Sequence, residues 1–176
     1  MDPKLDSIKD IIEMGEGTRV EIDFIDVLND NEGVLVGDTA KGFIRVLAET
    51  RKTETYPPRP FRVNAGAIHQ YIYIGNNRTK YLSELCPGDA VPVSDGNTER
   101  MVTIGRLKIE KRDFARIETL EGISATLQKA DSVFIAGELT PFHLLDVKEG
   151  DTLQVFPSDL HARHKGEAIQ ESIVEK

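Results

Sequence analysis

The sequence predicts a mainly β protein: one or two small barrel-like modules with an internal repeat and a short N-terminal helix. Three observations lead there. Short apolar, β-branched segments recur at regular spacing with turn residues between them, the pattern of barrels and sandwiches. After residue 20, no stretch of ten residues keeps a helical period. One motif also occurs twice, as Leu82-Ser-Glu-Leu85-Cys-Pro-Gly88-Asp89-Ala-Val91-Pro-Val93 and as Leu144-Leu-Asp-Val147-Lys-Glu-Gly150-Asp151-Thr-Leu153-Gln-Val155. A Gly-Asp turn there throws the chain into a buried strand.

Taken in order, Leu5, Ile8, Ile11 and Ile12 have helical spacing and predict a short amphipathic helix over 5–14, ended by Gly15 and Gly17. Val20, Ile22 and Phe24 then alternate with charged residues, as in a half-buried strand. Strands follow at Val34–Val36 and Phe43–Leu47. Residues 51–60 are polar and proline-rich, and two adjacent prolines exclude a central strand. A loop of that length suggests function. The segment Ile68–Ile74 is a strand with a turn at Gly75-Asn76-Asn77, and Lys80–Leu85 continues to Pro87-Gly88-Asp89. Further strands are predicted at 101–104, 107–109, 114–117, 123–128, 133–135 and 153–156, with 169–174 closing the chain. A weaker copy of the motif at Ile12–Ile22 makes residues 12–50 and 83–119 read as two versions of one unit, with Glu49 and Glu118 at equivalent strand ends. The division expected is a first β module with its helix at 1–81 and a second at 82–176, or one fused domain.

Hydrophobic residues make up 39% of the 176, enough for a real core. A net charge of −8 argues against non-specific nucleic-acid binding, which needs a cationic surface. Cys86 is the single cysteine, so neither an intrachain disulfide nor a cysteine-based zinc site can form. No apolar run approaches the roughly 20 residues of a membrane span. The charged start, MDPKLDSIKD, lacks a signal-peptide core. A cytoplasmic protein without nucleic-acid or membrane partners is expected.

The chemistry concentrates in Arg59-Pro60-Phe61-Arg62-Val63-Asn64-Ala65-Gly66-Ala67-Ile68-His69. Two guanidiniums three residues apart can hold a carboxylate or phosphate by paired hydrogen bonds. Gly66 lets backbone approach a ligand, and His69 can move a proton or bind a metal. The alternative is a solvated loop running into a strand. A second candidate is His161-Ala-Arg163-His164-Lys165-Gly166, a cationic patch that suits an anion, a metal or plain solvent. Glu49 is either a rim carboxylate or a solvated strand end. Lys108-Ile109-Glu110-Lys111-Arg112 reads as an exposed strand face. No dinucleotide-binding glycine motif, P-loop or nucleophile elbow is present.

Several blocks follow one another in a telling order: Glu32-Gly33-Val34-Leu35-Val36-Gly37, RPFRVNAGAIH at 59–69, KYLSEL at 80–85, GRLKIEKR at 105–112, ATLQKAD at 125–131, and ARHKG with the closing ESIVEK over 162–176. Together they resemble the C-terminal part of the 3-dehydroquinate synthase II family, from about residue 12 to Lys176. The resemblance implies an NAD-dependent oxidative deamination and cyclisation of an amino-dideoxy-heptulosonate to 3-dehydroquinate, on the shikimate route to aromatic amino acids. A related branch makes 3-amino-4-hydroxybenzoate with a divalent metal. On this reading Arg59, Arg62 and Arg163 bind the anionic substrate, Asn64 positions a carbonyl, and His69, His164 or Glu49 serves as acid or base. No metal ligand is assigned. Two departures stand out. Family members carry a further N-terminal α/β region, which would then come as a separate subunit. Lys129 and Lys165 also replace an asparagine and an aromatic residue of the family pattern. The alternative is a non-catalytic β domain that binds a small anionic metabolite or a partner subunit. A homo-oligomer is compatible with either.

Overall fold

In the computed structural model, the described residues are 1–158 and 174–176, with the backbone alone at 162–164 and 167–169. The strands in chain order are β1 (Lys4–Phe24), β2 (Gly33–Gly37), β3 (Gly42–Leu47), β4 (Arg62–Ala67), β5 (Tyr71–Gly75), β6 (Arg78–Tyr81), β7 (Ala90–Ser94), β8 (Glu99–Thr119), β9 (Ser124–Gln128), β10 (Phe134–Ile135), β11 (Phe142–His143), β12 (Thr152–Pro157), β13 (Ala162–His164) and β14 (Glu167–Ile169). Their pairing is antiparallel throughout. The mainly β class holds, and several details of the sequence reading are corrected.

The expected helix over 5–14 is strand. β1 runs unbroken for 21 residues, its first residues paired with β12 and most of its length with β8. Spacings of three and four residues also arise in a strand that slips register, and β1 slips against β8 between Ile8 and Asp10 and between Glu13 and Gly15. Ile8 is buried while Leu5, three residues away on the opposite face of the strand, is exposed. Tertiary pairing outweighs a local helical pattern that would give at best a marginal short helix. The three short strands expected over 101–117 are likewise one continuous strand, β8, also of 21 residues.

Six strands close a ring: β1 pairs β8, β8 pairs β7, β7 pairs β2, β2 pairs β3, β3 pairs β12, and β12 returns to β1. The inward positions Val20, Ile22, Val34, Val36, Ile44, Val46, Val91, Val93, Ile104, Leu153 and Val155 pack in one cluster. Burying such a side chain contributes roughly 1.5–3 kcal/mol. β4 adds to β1 and β9 adds to β8 outside this ring. Among the described residues, no helix is long and apolar enough to cross a membrane.

The repeated motif has one geometry in both copies. Leu82–Glu84 and Leu144–Asp146 are single 3-10 turns with the leucine buried. The carboxylates of Asp89 and Asp151 accept from the backbone N–H of Cys86 and Lys148, both at 2.9 Å. Gly88 and Gly150 have φ of 94° and 91° and donate to the carbonyls of Ile104 and Ile8. The order β8-β9-β10-β11-turn-β12 thus repeats β1-β4-β5-β6-turn-β7, with the β2–β3 hairpin inserted in the first copy. This shifts the expected units of 12–50 and 83–119. The counterpart of β8 is β1, so Glu118 corresponds to the end of β1, not to Glu49. The weaker copy around Gly17 is not a turn, since Gly17 lies inside β1.

Candidate functional site

Arg59-Pro60-Phe61-Arg62 is a tight turn, closed by the N–H of Arg62 donating to the Arg59 carbonyl at 2.9 Å. Proline fits its second position because its φ is preset for such turns. Arg59 forms a bridge with Glu49 just beyond β3, and Arg62 begins β4 opposite Asp23 of β1. Along β4, Arg62 and Asn64 face away from the core that holds Val63 and Ala65. Along β1, Arg19, Glu21 and Asp23 alternate with the core residues Val20, Ile22 and Phe24 in the same way.

These side chains line a cleft of about 240 Å³ bounded by Arg19, Glu21, Tyr56, Arg59, Arg62, Asn64, Lys108, Glu110, Arg112, Gln128, Ala130 and Ser132. It concentrates five cations on an acidic chain. The sequence-predicted Arg59, Arg62 and Asn64 meet here. Arg19, Lys108, Glu110 and Gln128 were not assigned to a site from sequence. Their only local signal is a charged residue at alternate positions of a half-buried strand, and strand pairing joins them.

The two predicted arginines differ. Arg62 donates twice to Asp23, from Nε at 2.7 Å and from Nη2 at 3.1 Å, and its Nε lies 3.3 Å from Glu21. Arg106 adds a contact to Asp23 at 2.8 Å. Burial alone would raise the Asp23 carboxyl, but the hydrogen bonds and charges of Arg62 and Arg106 outweigh it and hold it below the ordinary range. Arg62 in turn is held more firmly charged by its bonds to Asp23. Arg59 has one carboxylate partner, Glu49, at 2.5 Å, and its guanidinium lies 4.3 Å from the centre of the Tyr56 ring. Its buried Nε has no partner among the described residues.

The same holds for two more lining atoms, Arg19 Nε and Asn64 Oδ1. Arg19 Nη1 and Asn64 Nδ2 both donate to Gln128 Oε1, at 3.0 and 2.7 Å, which fixes their orientation. Glu49 lies behind Arg59, and its Oε2 is also buried without a partner among the described residues. Burial pushes the Glu49 carboxyl up to about 7, against the pull of Arg59 and with added repulsion from Glu21.

His69 stands outside the cleft. It follows β4, its ring half exposed, and its Nε2 lies 2.7 Å from Oδ1 of the buried Asp38. The same oxygen accepts from the Thr126 hydroxyl at 2.7 Å. Gly66 lies within β4. Its φ is 94°, and an added Cβ would come 2.3 Å from the Thr126 carbonyl, so it lets β4 cross close to β9. Arg163 and His164 lie on β13, with their side chains outside the described residues, as are His161, Lys165 and Gly166. No group of three His, Cys, Asp or Glu among the described residues is placed to hold a metal ion.

Compared with known proteins, residues 5–176 match the family model described as the 3-dehydroquinate synthase II C-terminal domain. The chain is 42% identical to the 3-dehydroquinate synthase of Natronomonas pharaonis over 97% of its own length and 45% of that protein's. It is 42% identical to that of Methanococcus vannielii, covering 96% of the chain and 48% of the relative. With the 3-dehydroquinate synthase homolog of Aquifex aeolicus the identity is 41%, over 96% and 52% of the two lengths. The chain therefore spans about half the length of the curated relatives it matches. No solved structure matches it. The chain belongs to the 3-dehydroquinate synthase II family and corresponds to its C-terminal domain.

Proposed function

We propose that this chain is the substrate-shaping half of a 3-dehydroquinate synthase II-type enzyme, and that the cleft holds an amino-dideoxy-heptulosonate during its oxidative deamination and cyclisation. One observation carries the reading: Arg19 Nε, Arg59 Nε and Asn64 Oδ1 are buried polar atoms of cleft-lining residues with no partner among the described residues. Buried polar groups are costly when unpaired. Two donors and one acceptor around a cationic cleft suit a small acid that also carries hydroxyl or amino groups. Arg59 would take the carboxylate, with support from Arg19, which also stands 3.2 Å from Glu110 and 3.7 Å from Glu21, and Asn64 would accept from a hydroxyl or ammonium. Glu49, behind Arg59 and with its pKa pushed up to about 7, would set the charge beside the bound carboxylate.

We infer that this cleft does not take a complete NAD. Pockets for drug-sized ligands run from about 300 to 1,000 Å³, the cleft measures about 240 Å³, and its lining contains no glycine loop to cradle a pyrophosphate. We place the NAD site on the portion of the longer relatives that this chain does not span. The test is 3-dehydroquinate formation from the amino-dideoxy-heptulosonate and NAD, by the chain alone and mixed with the N-terminal region of a family relative. Product in the mixture, lost with Arg59→Ala, is expected. Substrate binding without turnover in either case would leave a binding module, and no binding at all would remove the reading.

A further inference from the structure

A second pocket lies elsewhere on the surface, around Arg45. It measures about 170 Å³, room for roughly five waters at about 30 Å³ each, and its lining includes Asn31, Arg45, Leu47, Asp95, Leu139 and Gln154. β3 places Arg45 on the face opposite the main core, between Ile44 and Val46, which point inward. Arg45 is 6% exposed. Its Nη1 donates to Gln154 Oε1 at 2.7 Å, and its buried Nε has no partner among the described residues. The guanidinium is seated against Gly96, where an added Cβ would come 2.3 Å from Nη1.

What sets Arg45 apart is the lack of a close counter-ion. Arg62 has two carboxylates within 3.3 Å and Arg59 has one, whereas no carboxylate lies within 4 Å of Arg45 among the described residues. A buried charge without a partner is strongly unfavourable, so a ligand anion is the natural complement. Burial pushes the guanidinium's pKa down, and Asp95 offsets this only in part. The pocket's other charges are negative: Asp95 and Glu138. The Asp95 carboxylate is tied to its own turn, accepting from the N–H groups of Asn97 and Thr98 and from the Thr98 hydroxyl. A plain anion would meet repulsion from both. A molecule carrying a carboxylate and an ammonium a short distance apart would satisfy both signs, with Leu47, Leu139 and Pro141 offering an apolar wall.

We infer that the pocket around Arg45, Asp95 and Gln154 binds a free α-amino acid, its carboxylate on Arg45 and its ammonium toward Asp95. This site is separate from the Arg59 cleft and does not depend on the reading of that cleft. The test is calorimetric titration of the full chain with glycine, L-alanine and L-leucine, with acetate and ethylamine as the two half-ligands. At least one amino acid should bind at least about tenfold more tightly than either half-ligand, a gap of ~1.4 kcal/mol. Arg45→Met should abolish that binding while leaving the chain folded by circular dichroism. Asp95→Asn, which keeps an oxygen for the turn, should weaken amino acids about tenfold and leave acetate unchanged or improved. Acetate binding as tightly as every amino acid would overturn the inference. So would the absence of any amino-acid binding, or equal loss of acetate and amino acid in Asp95→Asn.

Discussion

Arg59 and Arg62 begin and end one turn, yet the fold puts them to opposite uses. Arg62 is enclosed by Asp23 and Glu21 and braces β4 against β1. Arg59 keeps a buried N–H with no partner among the described residues, beside the cleft and steadied by Glu49 and Tyr56. A pair of arginines in a sequence is therefore not by itself a clamp. Strand pairing sets Arg62 between two carboxylates of β1 and leaves Arg59 with Glu49 at the edge of the cleft.

The largest expected effect lies on the structural side of this contrast. Arg62→Ala leaves Asp23 and Glu21 buried with less compensation, and breaking a buried pair costs about 3–5 kcal/mol. Urea unfolding should show a midpoint well below that of the parent chain. Arg59→Ala should cost less in the same measurement, because the Glu49 carboxyl it strands has a pKa already pushed up to about 7 and can take up a proton. It should weaken substrate binding by about 1.5–3 kcal/mol, the range for a hydrogen bond to a charged group, as read by calorimetry.

Glu49 gives the contrast a pH signature. Its folded pKa of about 7 lies above the ordinary carboxylate value, so the folded state holds more protons than the unfolded state between about pH 4.5 and 7. Stability then falls as pH rises through that window. The shift bounds the effect at roughly 3 kcal/mol. Glu49→Gln should flatten the slope of stability against pH between 5 and 7 and make the chain more stable than the parent at pH 8. Asp23 has the opposite sign, since its stabilisation is present at neutral pH and lost in acid. The smallest effect expected is Asn64→Ala, which removes one hydrogen bond to Gln128 at about 1 kcal/mol. It should weaken substrate binding more than it lowers the urea midpoint.

Much of the fold was legible because apolar alternation is a local signal. Phe43–Leu47 and Tyr71–Gly75 could be read as strands with no knowledge of their partners. Residues 5–14 could not, because Leu5, Ile8, Ile11 and Ile12 fit a helix unless the register slips against β8, some hundred residues away, are known. Part of the cleft was legible for the same reason. Arg59, Arg62 and Asn64 fall within six residues, whereas Arg19, Lys108 and Gln128 reach the cleft only through the pairing of β1 with β4 and of both long strands with each other. The difference between Arg59 and Arg62 was not legible at all, since Asp23, Glu21 and Glu49 look alike in sequence until pairing assigns them.

The most direct test sets Arg59→Ala beside Arg62→Ala, each measured by urea unfolding and by calorimetric titration with the amino-dideoxy-heptulosonate. Arg59→Ala should bind at least about tenfold more weakly, ~1.4 kcal/mol or more, with a smaller fall in midpoint than Arg62→Ala, whose midpoint should be sharply lowered. An Arg62→Ala chain as stable as the parent, or an Arg59→Ala chain that binds the substrate unchanged, would contradict this.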